Sequence, residues 1–553
     1  MVMLRSPTDP SDLAPAQSRC METTDLDVLV VGAGPTGLTL AIQLISRGVR
    51  TRVIDKDPGL PKLSRAIGIQ PRTLETLDMM GLAGELLANG HRTTGVSVYF
   101  DGRRQVGIDM TYADSDYAFM LHLPQHRTEG VLRSRLAELG GKVESGVELL
   151  GFVQDAGAVT TTLRDAEGLK EQVTTAFLAG CDGSHSKVRH ILDVPFVGQP
   201  YPFDWLLADA ELDGVESSDN VHVYWGAGGQ ALGLIPIDGR LWRVSAPVPG
   251  DRGGAPPTLA EIQRLVDARG PGEIVVRDPQ TLHCFRCQIR STDVYRRGRV
   301  FLAGDAAHIH APTGAQGMNL GINDAANLGW KVAHVVLEQA PDSLLDSYGA
   351  ERYPATQKVM AFTDNMVRFA TEPSRIKRAL RRARMPLLRL PKIRRHLANR
   401  MAQLAIAYPD SPITRPGRVR GLPEPGERMP NIRMRDGRRI NEALRDGNHL
   451  LAGPDDGLPG RVLIRPDGYV AAIGRDDDSA AIDDYLQTMR VRATSSRYAP
   501  ASPASPAEAL FPPTPPATAR HRPPHHRLRA RRRVPRPRSP GHRRRRTSRS
   551  RKT

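Results

Sequence analysis

The stretch from Leu302 to Lys331, LAGDAAHIHAPTGAQGMNLGINDAANLGWK, combines an acid, two histidines and several glycines. Asp305 follows a short apolar run and can accept hydrogen bonds from a chain of hydroxyl groups. The bare backbone of PTGAQG would let a flat ring lie against it. A helix predicted to begin at Met318 and Asn319 would stabilise negative charge on that ring. We therefore interpret this stretch as a site for a flavin ring and its ribityl chain.

A second glycine pattern, Gly32-Ala33-Gly34-Pro35-Thr36-Gly37, lies between a predicted strand and a predicted helix. Its glycines give a tight turn, close approach of a pyrophosphate, and close packing of the helix on the strand. Asp55 ends the next predicted strand, where its carboxylate can accept hydrogen bonds from ribose hydroxyls. Because a carboxylate there repels a 2′-phosphate, the pattern predicts bound FAD or NAD rather than NADP.

A third motif, Asp182-Gly183, ends the predicted strand that includes Leu178 and precedes a basic helix. Taken alone, it is equally compatible with an ordinary corner in which the aspartate caps the helix.

In this order and at these separations, the three motifs resemble those of the single-component FAD-dependent aromatic hydroxylases, over roughly residues 25 to 360. The resemblance implies the p-hydroxybenzoate hydroxylase-like fold. This is an α/β architecture in which a Rossmann-like βαβ FAD-binding domain carries an inserted antiparallel-sheet substrate domain. It also implies non-covalent FAD binding by Gly32, Gly34, Gly37, Asp55, Arg65, Gln125, Asp182, Gly183, Gly304, Asp305, Pro312, Gly317, Met318 and Asn319.

The activity implied by the resemblance is hydroxylation of a phenolic or polyketide-derived aromatic molecule, using NADPH or NADH and O2, through a C4a-hydroperoxyflavin. An epoxidase or Baeyer–Villiger enzyme of the same fold is the alternative. The resemblance suggests Arg65, His310 and Pro312 as candidate residues beside the flavin, although packing is a strong alternative for the histidine. The candidate substrate-lining residues are Tyr224, Trp225 and Pro236, although core packing is the favoured alternative for each of them. No metal site is predicted.

Two departures from the family pattern bear on the fold. Where the family often has Gly-Gly-Gln-Gly, this chain has Gly314-Ala315-Gln316-Gly317. The added methyl is tolerable unless the second position requires a positive φ. The segment Leu463 to Gly474, LIRPDGYVAAIG, resembles the end of the thioredoxin-like domain found in the phenol and aromatic-polyketide hydroxylases. Because residues 415–489 are too few for the whole domain, we expect a reduced version of it.

Composition, pattern shifts and the family resemblance together divide the chain into five predicted parts. These are a flexible leader at 1–24; the FAD-binding domain with a helical extension at 25–94, 121–199 and 296–410; the substrate-binding sheet domain at 95–120 and 200–295; the reduced thioredoxin-like domain at 415–489; and a disordered Arg/Pro-rich tail at 490–553.

The formal net charge of +17 originates in the tail. Residues 491–553 hold 18 of the 77 Lys and Arg residues and one of the 60 acidic residues, so the rest of the chain is balanced. A segment this rich in charge and proline cannot bury enough apolar surface to fold. We therefore expect no nucleic-acid partner for the globular part. A polyanion-binding protein acting through the tail is the competing hypothesis from another functional class.

The sequence has no run of 18 or more apolar residues, so no transmembrane segment is predicted. Four cysteines in so long a chain fit a reducing cytoplasm. We expect a cytoplasmic monomer or homodimer that acts on a small aromatic molecule.

Other kinds of reactive site, and the signatures of other flavoenzyme families, have little support in the sequence. Cys284 and Cys287 lie three apart in a predicted strand, so their thiols should point to opposite faces. For His308 and His310, packing or hydrogen bonding to the backbone is favoured over proton transfer. The tryptophans do not form the W-x-W-x-I-P signature of a flavin-dependent halogenase, and no cysteine pair follows the first helix as in a disulfide reductase.

Overall fold

The computed structural model describes residues 19–20, 26–59, 66–100, 102–105, 107–225, 231–337, 339–371 and 388–495. Arg65, most of the predicted leader and residues 496–553 of the predicted tail lie outside the described residues. Within the described part, no helix has the length and apolarity needed to cross a lipid bilayer.

Strands and helices alternate in the first part of the chain and strands predominate in the middle. The strands are β1 (Arg19–Cys20), β2 (Val28–Val31), β3 (Thr51–Asp55), β4 (Gly68–Ile69), β5 (His91–Thr93), β6 (Gly95–Phe100), β7 (Arg103–Arg104), β8 (Ile108–Asp109), β9 (Met120–His122), β10 (Val143–Ser145), β11 (Glu148–Gln154), β12 (Val159–Arg164), β13 (Lys170–Thr175), β14 (Phe177–Gly180), β15 (Val197–Asp213), β16 (Asn220–Trp225), β17 (Ala231–Asp238), β18 (Leu241–Pro249), β19 (Val275–Ser291), β20 (Arg296–Arg297), β21 (Val300–Leu302), β22 (His308–Ile309), β23 (His449–Ala452), β24 (Arg461–Ile464), β25 (Val470–Gly474) and β26 (Ala493–Ser495). The helices are α1 (Pro35–Ile45), α2 (Pro71–Asp78), α3 (Ala83–Asn89), α4 (Gln125–Glu138), α5 (Lys187–Ile191), α6 (Leu259–Arg269), α7 (Gly317–Val336), α8 (Asp346–Thr371), α9 (Pro391–Met401), α10 (Ile440–Ala443) and α11 (Ala480–Met489).

A mostly parallel sheet of six strands has the order β10-β3-β2-β14-β21-β20. β2 is a fully buried apolar run, and α1 follows it across the glycine turn, which gives the predicted βαβ unit with β3. β2, β3, β14 and β21 are mutually parallel, so their carboxyl ends meet at one edge of the sheet. The three predicted motifs follow β2, β14 and β21, and the sheet therefore brings them together.

A second, largely antiparallel sheet has the order β22-β19-β15-β18-β17-β16-β6-β7, with β8 also paired to β6. The pairing of β16 with β6 is parallel. One face of this sheet packs against α6, where Ile262 and Val266 join a buried cluster that includes Leu234 and Val244. Since successive side chains of a strand point to opposite faces, every second residue is directed away from that core.

The C-terminal lobe contains a sheet with the order β25-β24-β23-β26. Its β26 pairs in parallel with β23, and Val491 is buried. The predicted boundary at residue 490 was therefore wrong, because the lobe continues to Ser495. At the other end of the chain, Arg19 and Cys20 pair with Glu171 and Gln172 of β13, so these two residues depart from the predicted flexible leader.

A buried ionic network joins the C-terminal lobe to the helices behind the glycine-rich segment. Arg465, fully buried, donates from Nη1 to Glu351 Oε1 on α8 at 2.6 Å and from Nη2 to Glu351 Oε2 at 2.9 Å. Asp467 accepts from Trp330 Nε1 on α7 at 3.2 Å. The Arg-Pro-Asp-Gly segment is thus a structural anchor on α7 and α8.

Candidate active site

A cavity of about 1690 Å³ extends from the carboxyl edge of the parallel sheet to the face of the antiparallel sheet opposite α6. Single small-molecule pockets usually enclose about 300–1,000 Å³. The cavity is large enough for a dinucleotide and a second molecule beside it. Its walls include members of all three motifs, among them Gly34, Asp182 and Asp305.

The first glycine turn is shaped for a ligand at its middle position. Gly32 has φ +102°, and a Cβ there would lie 2.4 Å from the carbonyl oxygen of Cys181. A Cβ on Gly37 would lie 1.9 Å from the carbonyl oxygen of Gly32. A Cβ on Gly34 would meet no described atom within 4 Å, and this residue lines the cavity at the start of α1. The outer glycines therefore permit packing, while the middle one leaves space at the helix N-terminus that would suit a pyrophosphate.

Asp55 lies at the carboxyl end of β3 and lines the cavity. Its Oδ2 accepts a hydrogen bond from the backbone N–H of Ala33 at 2.6 Å, and its Oδ1 accepts one from Asp57 N at 2.9 Å. These bonds fix the carboxylate beside the glycine turn. Because a carboxylate has about four acceptor sites, capacity remains for ribose hydroxyls.

Asp182 caps α5 and also lies on the cavity wall. Its Oδ2 accepts a hydrogen bond from Val188 N of α5 at 3.1 Å, as a helix cap would. Its Oδ1 is buried and has no hydrogen-bond partner among the described residues, and the residue lines the cavity together with Gly183. Burial raises the pKa of the Asp182 carboxyl, against hydrogen bonds from Ser186 and the backbone that lower it. A ligand that donates a hydrogen bond would satisfy this oxygen.

The Gly304-Asp305 turn is held from behind by α7. Gly304 has φ +64°, and a Cβ there would lie 2.5 Å from Thr36 Oγ1. Its backbone N–H donates to Asp324 Oδ2 at 3.0 Å. Asp305 is exposed at the cavity wall. The turn therefore presents the Asp305 carboxylate to the cavity, and the Asp324 carboxylate fixes the turn to α7.

The Asp324 carboxylate also contacts the buried side chains of His308 and Arg352. Its Oδ2 lies 2.7 Å from His308 Nε2, and its Oδ1 accepts from Arg352 Nε at 2.7 Å. Burial by itself would raise the pKa of this carboxyl, but Arg352 and His308 lower it below its usual value. Asp324 is therefore ionised, and His308 makes a buried hydrogen bond to this side chain.

Pro312, Gly314, Gly317 and Met318 line the cavity where α7 begins. Ala315 has φ +53°, so this position does require the positive φ at which the added methyl was expected to matter. A Cβ on Gly68 would lie 2.6 Å from the Ala315 methyl. Ala315 is therefore in a strained backbone conformation, and its methyl group leaves room only for a glycine at position 68.

Asn319 is buried and absent from the described cavity wall. Its Oδ1 accepts from Gln70 N at 2.8 Å, and its Nδ2 donates to Gly68 O at 2.9 Å and Ala315 O at 2.6 Å. The structure therefore places the Asn319 side chain as a clamp between β4 and the glycine-rich segment at the start of α7.

His310 lines the cavity, and its Nδ1 lies 2.9 Å from the carbonyl oxygen of Ala311. Burial lowers the pKa of His310 to about 4, so its ring is neutral near pH 7 and Nδ1–H donates to that carbonyl. Its Nε2 has no hydrogen-bond partner among the described residues and can only accept. This geometry does not suit a general acid.

On the antiparallel sheet, the alternation of side chains separates the three candidate substrate residues. Trp225 lines the cavity, whereas Tyr224 is buried on the face that packs against α6, stacked on Tyr99 at 4.5 Å between ring centroids. Pro236 follows the cavity-lining Ile235 and is not part of the described wall. Tyr224 and Pro236 are therefore corrected to positions outside the wall, since the sequence did not show which set of alternate residues faced the helix.

The two cysteines of the C-x-x-C sequence point to opposite faces of the sheet, as expected. Cys284 packs in the cluster under α6, and Cys287 packs in a separate cluster and lines the cavity. Burial raises the pKa of the Cys287 thiol to about 12, so it is protonated and unreactive near pH 7.

Gln125, one of the predicted cofactor residues, is followed on α4 by two cavity residues that were missed from sequence. Gln125 lines the cavity, accepting from Ala66 N at 3.3 Å and donating to Glu129 Oε1 at 2.9 Å. Glu129 and Arg133 follow it on the same face of α4 and also line the cavity. Their spacing of four residues could have revealed them. Asp324 gave no such signal, because its role depends on a contact between two separate segments.

Comparisons with known proteins agree with this geometry. A family model of FAD binding domains matches residues 25–363, which is more than half of the chain. The chain is 37% identical over 527 residues to 6-methylpretetramide 4-monooxygenase of Streptomyces rimosus, covering 84% of this chain and 93% of that protein. It is 35% identical over 475 residues to a rifampicin monooxygenase of Streptomyces venezuelae, covering 81% and 96%.

Among solved structures, an anhydrotetracycline hydroxylase from Streptomyces rimosus matches with a TM-score of 0.71 and 29% sequence identity, covering 85% of this chain and 99% of that chain. The residues present also fit FAD, since the space at Gly34 suits a pyrophosphate and the orphan oxygen of Asp182 needs a donor. This chain therefore belongs to the FAD-dependent aromatic hydroxylases and is an FAD-dependent monooxygenase.

Proposed function

We propose that the enzyme hydroxylates a fused-ring phenol, using NADPH as the electron donor and O2 as the oxygen donor. One oxygen atom of O2 replaces a ring hydrogen as a hydroxyl group, and the other leaves as water. NADPH supplies two electrons as hydride, and one proton is taken up from solvent. The ring hydrogen, the hydride and that proton together account for the hydrogen atoms of the new hydroxyl group and of water. FAD, when bound, carries those electrons from the nicotinamide to oxygen.

The size and lining of the cavity carry this proposal. Its substrate-facing wall is largely apolar and includes the aromatic side chains of Phe203, Trp205, Trp225 and Phe285. Flat aromatic walls stack well on extended ring systems. The names of the relatives point the same way, because 6-methylpretetramide, rifampicin and anhydrotetracycline are all large molecules.

The chain's own groups supply binding, charge stabilisation and exclusion of water. The N-terminus of α7, which begins at Gly317, is directed to the Pro312–Met318 wall and favours negative charge there. The apolar sheet face keeps water from the reacting atoms, and its aromatic residues hold the substrate ring in one plane. The glycine turn at β2 already serves the FAD pyrophosphate, so NADPH is expected to approach the cavity without a dinucleotide fold of its own.

A substrate panel tests the proposal. Fused-ring phenols and single-ring phenols of matched acidity would be compared for stimulation of NADPH oxidation, with NADH as the parallel donor and mass spectrometry of the products. We expect the fused-ring phenols to stimulate oxidation more and to gain one hydroxyl group. An epoxide or lactone product would assign the enzyme to another reaction of the same fold. Equal stimulation by single-ring phenols would refute the substrate class.

A further inference from the structure

Three polar residues on α4 face the same part of the cavity. Gln125, Glu129 and Arg133 follow one another at intervals of four residues, which places them along one side of the helix, and all three line the cavity. Asp55, at the end of β3, lines the same cavity, and its charge acts on the Glu129 carboxyl. No role assigned so far accounts for Glu129.

Glu129 is a buried carboxyl group with unused hydrogen-bonding capacity. The residue is 1% exposed. Its Oε1 accepts from Gln125 Nε2 at 2.9 Å, but its Oε2 has no hydrogen-bond partner among the described residues. Burial raises the pKa of the carboxyl, Gln125 and Arg133 lower it, and Asp55 raises it further, with a net increase. A buried oxygen of this kind destabilises a protein unless a donor reaches it.

A ligand in the cavity can supply that donor. Asp55 ends the second strand of the βαβ unit, where dinucleotide-binding folds hold the adenosine ribose. Two carboxylates that face one region repel phosphate and favour a neutral group with two hydroxyl donors. A vicinal diol meets both requirements. We propose that Glu129 is a second acceptor, beside Asp55, for the ribose hydroxyls in the adenosine half of FAD.

This assignment makes Glu129 a selectivity residue as well as a binding residue. A second carboxylate at the diol strengthens the exclusion of a 2′-phosphate that Asp55 alone would provide. The nicotinamide donor, if it carries that phosphate, would be kept out of the FAD site by the same pair. The inference depends on FAD binding and is independent of the identity of the aromatic substrate.

The test measures FAD affinity of the apoprotein. Glu129→Gln keeps the shape of the side chain and removes its charge, and Glu138→Gln, on the same helix but outside the described cavity wall, is the matched control. We expect Glu129→Gln to raise the Kd for FAD about tenfold, because a charge-assisted hydrogen bond is lost. The Kd for FMN, which lacks adenosine, should not change. The Kd of Glu138→Gln for FAD should equal that of the unaltered protein.

Thermal stability separates the proposed ligand-binding role of Glu129 from a purely structural one. Because the carboxyl is buried and incompletely paired without a ligand, the proposal predicts that Glu129→Gln raises the Tm of the apoprotein and reduces the increase in Tm caused by FAD. ADP should compete with FAD more strongly than 2′-deoxy-ADP in the unaltered protein, and this difference should shrink in the variant. A lower apoprotein Tm, with FAD and FMN affinities reduced alike, would overturn the proposal.

Arg65 provides a further control, since it is also expected at the cofactor. Glu129→Gln would be combined with Arg65→Met in a double-mutant cycle. If the two losses of FAD affinity add, Glu129 acts on the ribose independently, as proposed. If the effect of Glu129→Gln disappears in the Arg65→Met protein, the carboxylate serves that arginine and the proposal fails.

Discussion

At the scale of single residues, we expect the flavin site to depend on Asp305. Its carboxylate is presented to the cavity directly after β21. We expect Asp305→Ala to weaken FAD binding by about 1.5–3 kcal/mol, the range for a hydrogen bond to a charged group. Fluorescence titration of the apoprotein with FAD measures this loss. Asp476→Ala, on an exposed loop, is the control and should have no effect; an unchanged Kd for Asp305→Ala would show that the ribityl chain binds elsewhere.

Ala315 is a second residue with a measurable consequence. A left-handed conformation costs a residue with a Cβ about 1–2 kcal/mol, and glycine relieves that strain while losing about 0.5–1 kcal/mol to its greater chain entropy. Because Ala315 has φ +53°, Ala315→Gly should stabilise the protein by about 0.5–1 kcal/mol. Ala350→Gly, at an exposed position inside α8, should instead destabilise it by about 0.5–1 kcal/mol. Chemical denaturation measures both, and a loss of stability in Ala315→Gly would contradict the strain.

At the scale of the element, α7 determines the geometry of the site. Its N-terminus meets the cavity, and its Asp324 fixes the Gly304 backbone, His308 and Arg352. Asp324→Asn leaves Arg352 without a buried counter-charge, which should cost about 3–5 kcal/mol of stability. We also expect weaker FAD binding, because the Gly304-Asp305 turn loses its support.

Thermal unfolding of the apoprotein and FAD titration test this role of α7 together. The control removes an exposed ion pair: Arg135→Gln should change the free energy of unfolding by less than about 1 kcal/mol, because surface pairs contribute little. If Asp324→Asn lowers the Tm but FAD affinity is unchanged, Asp324 stabilises the fold without positioning the turn.

The elements with a strong local signal were predictable from sequence. The apolar run at β2, the glycine turn and Asp55 specified the βαβ unit, and the spacing of Cys284 and Cys287 correctly placed their thiols on opposite faces. The outward or inward direction of Tyr224 was not predictable, because alternation fixes which residues share a face but not which face α6 covers. The clamp formed by Asn319 and the strand β26 likewise depend on partners far away in the sequence.

At the scale of the whole molecule, the positive charge and the catalytic fold are separate features. Residues 496–553 hold 17 Lys and Arg residues and one acid, and they follow the last strand of the C-terminal lobe. We expect a chain that ends at Ser495 to keep its FAD content, Tm and turnover, and to lose salt-dependent binding to DNA.

The end point of that truncation matters. Ending the chain at Met489 would also remove Val491 and β26 and should lower the Tm, so it serves as the contrasting variant. Loss of flavin or of activity in the chain that ends at Ser495, at moderate salt, would show that the basic segment contributes to catalysis.

The central claim is that this enzyme inserts an atom of molecular oxygen into an aromatic ring. The most direct measurement uses the phenol that best stimulates NADPH oxidation, incubated with the FAD-loaded enzyme and NADPH under isotopically heavy O2. Mass spectrometry of the product should show one heavy oxygen atom per new hydroxyl group, and one NADPH should be consumed for each product molecule formed. A hydroxylated product without the label, or NADPH oxidation that yields only hydrogen peroxide with every phenol, would contradict the account.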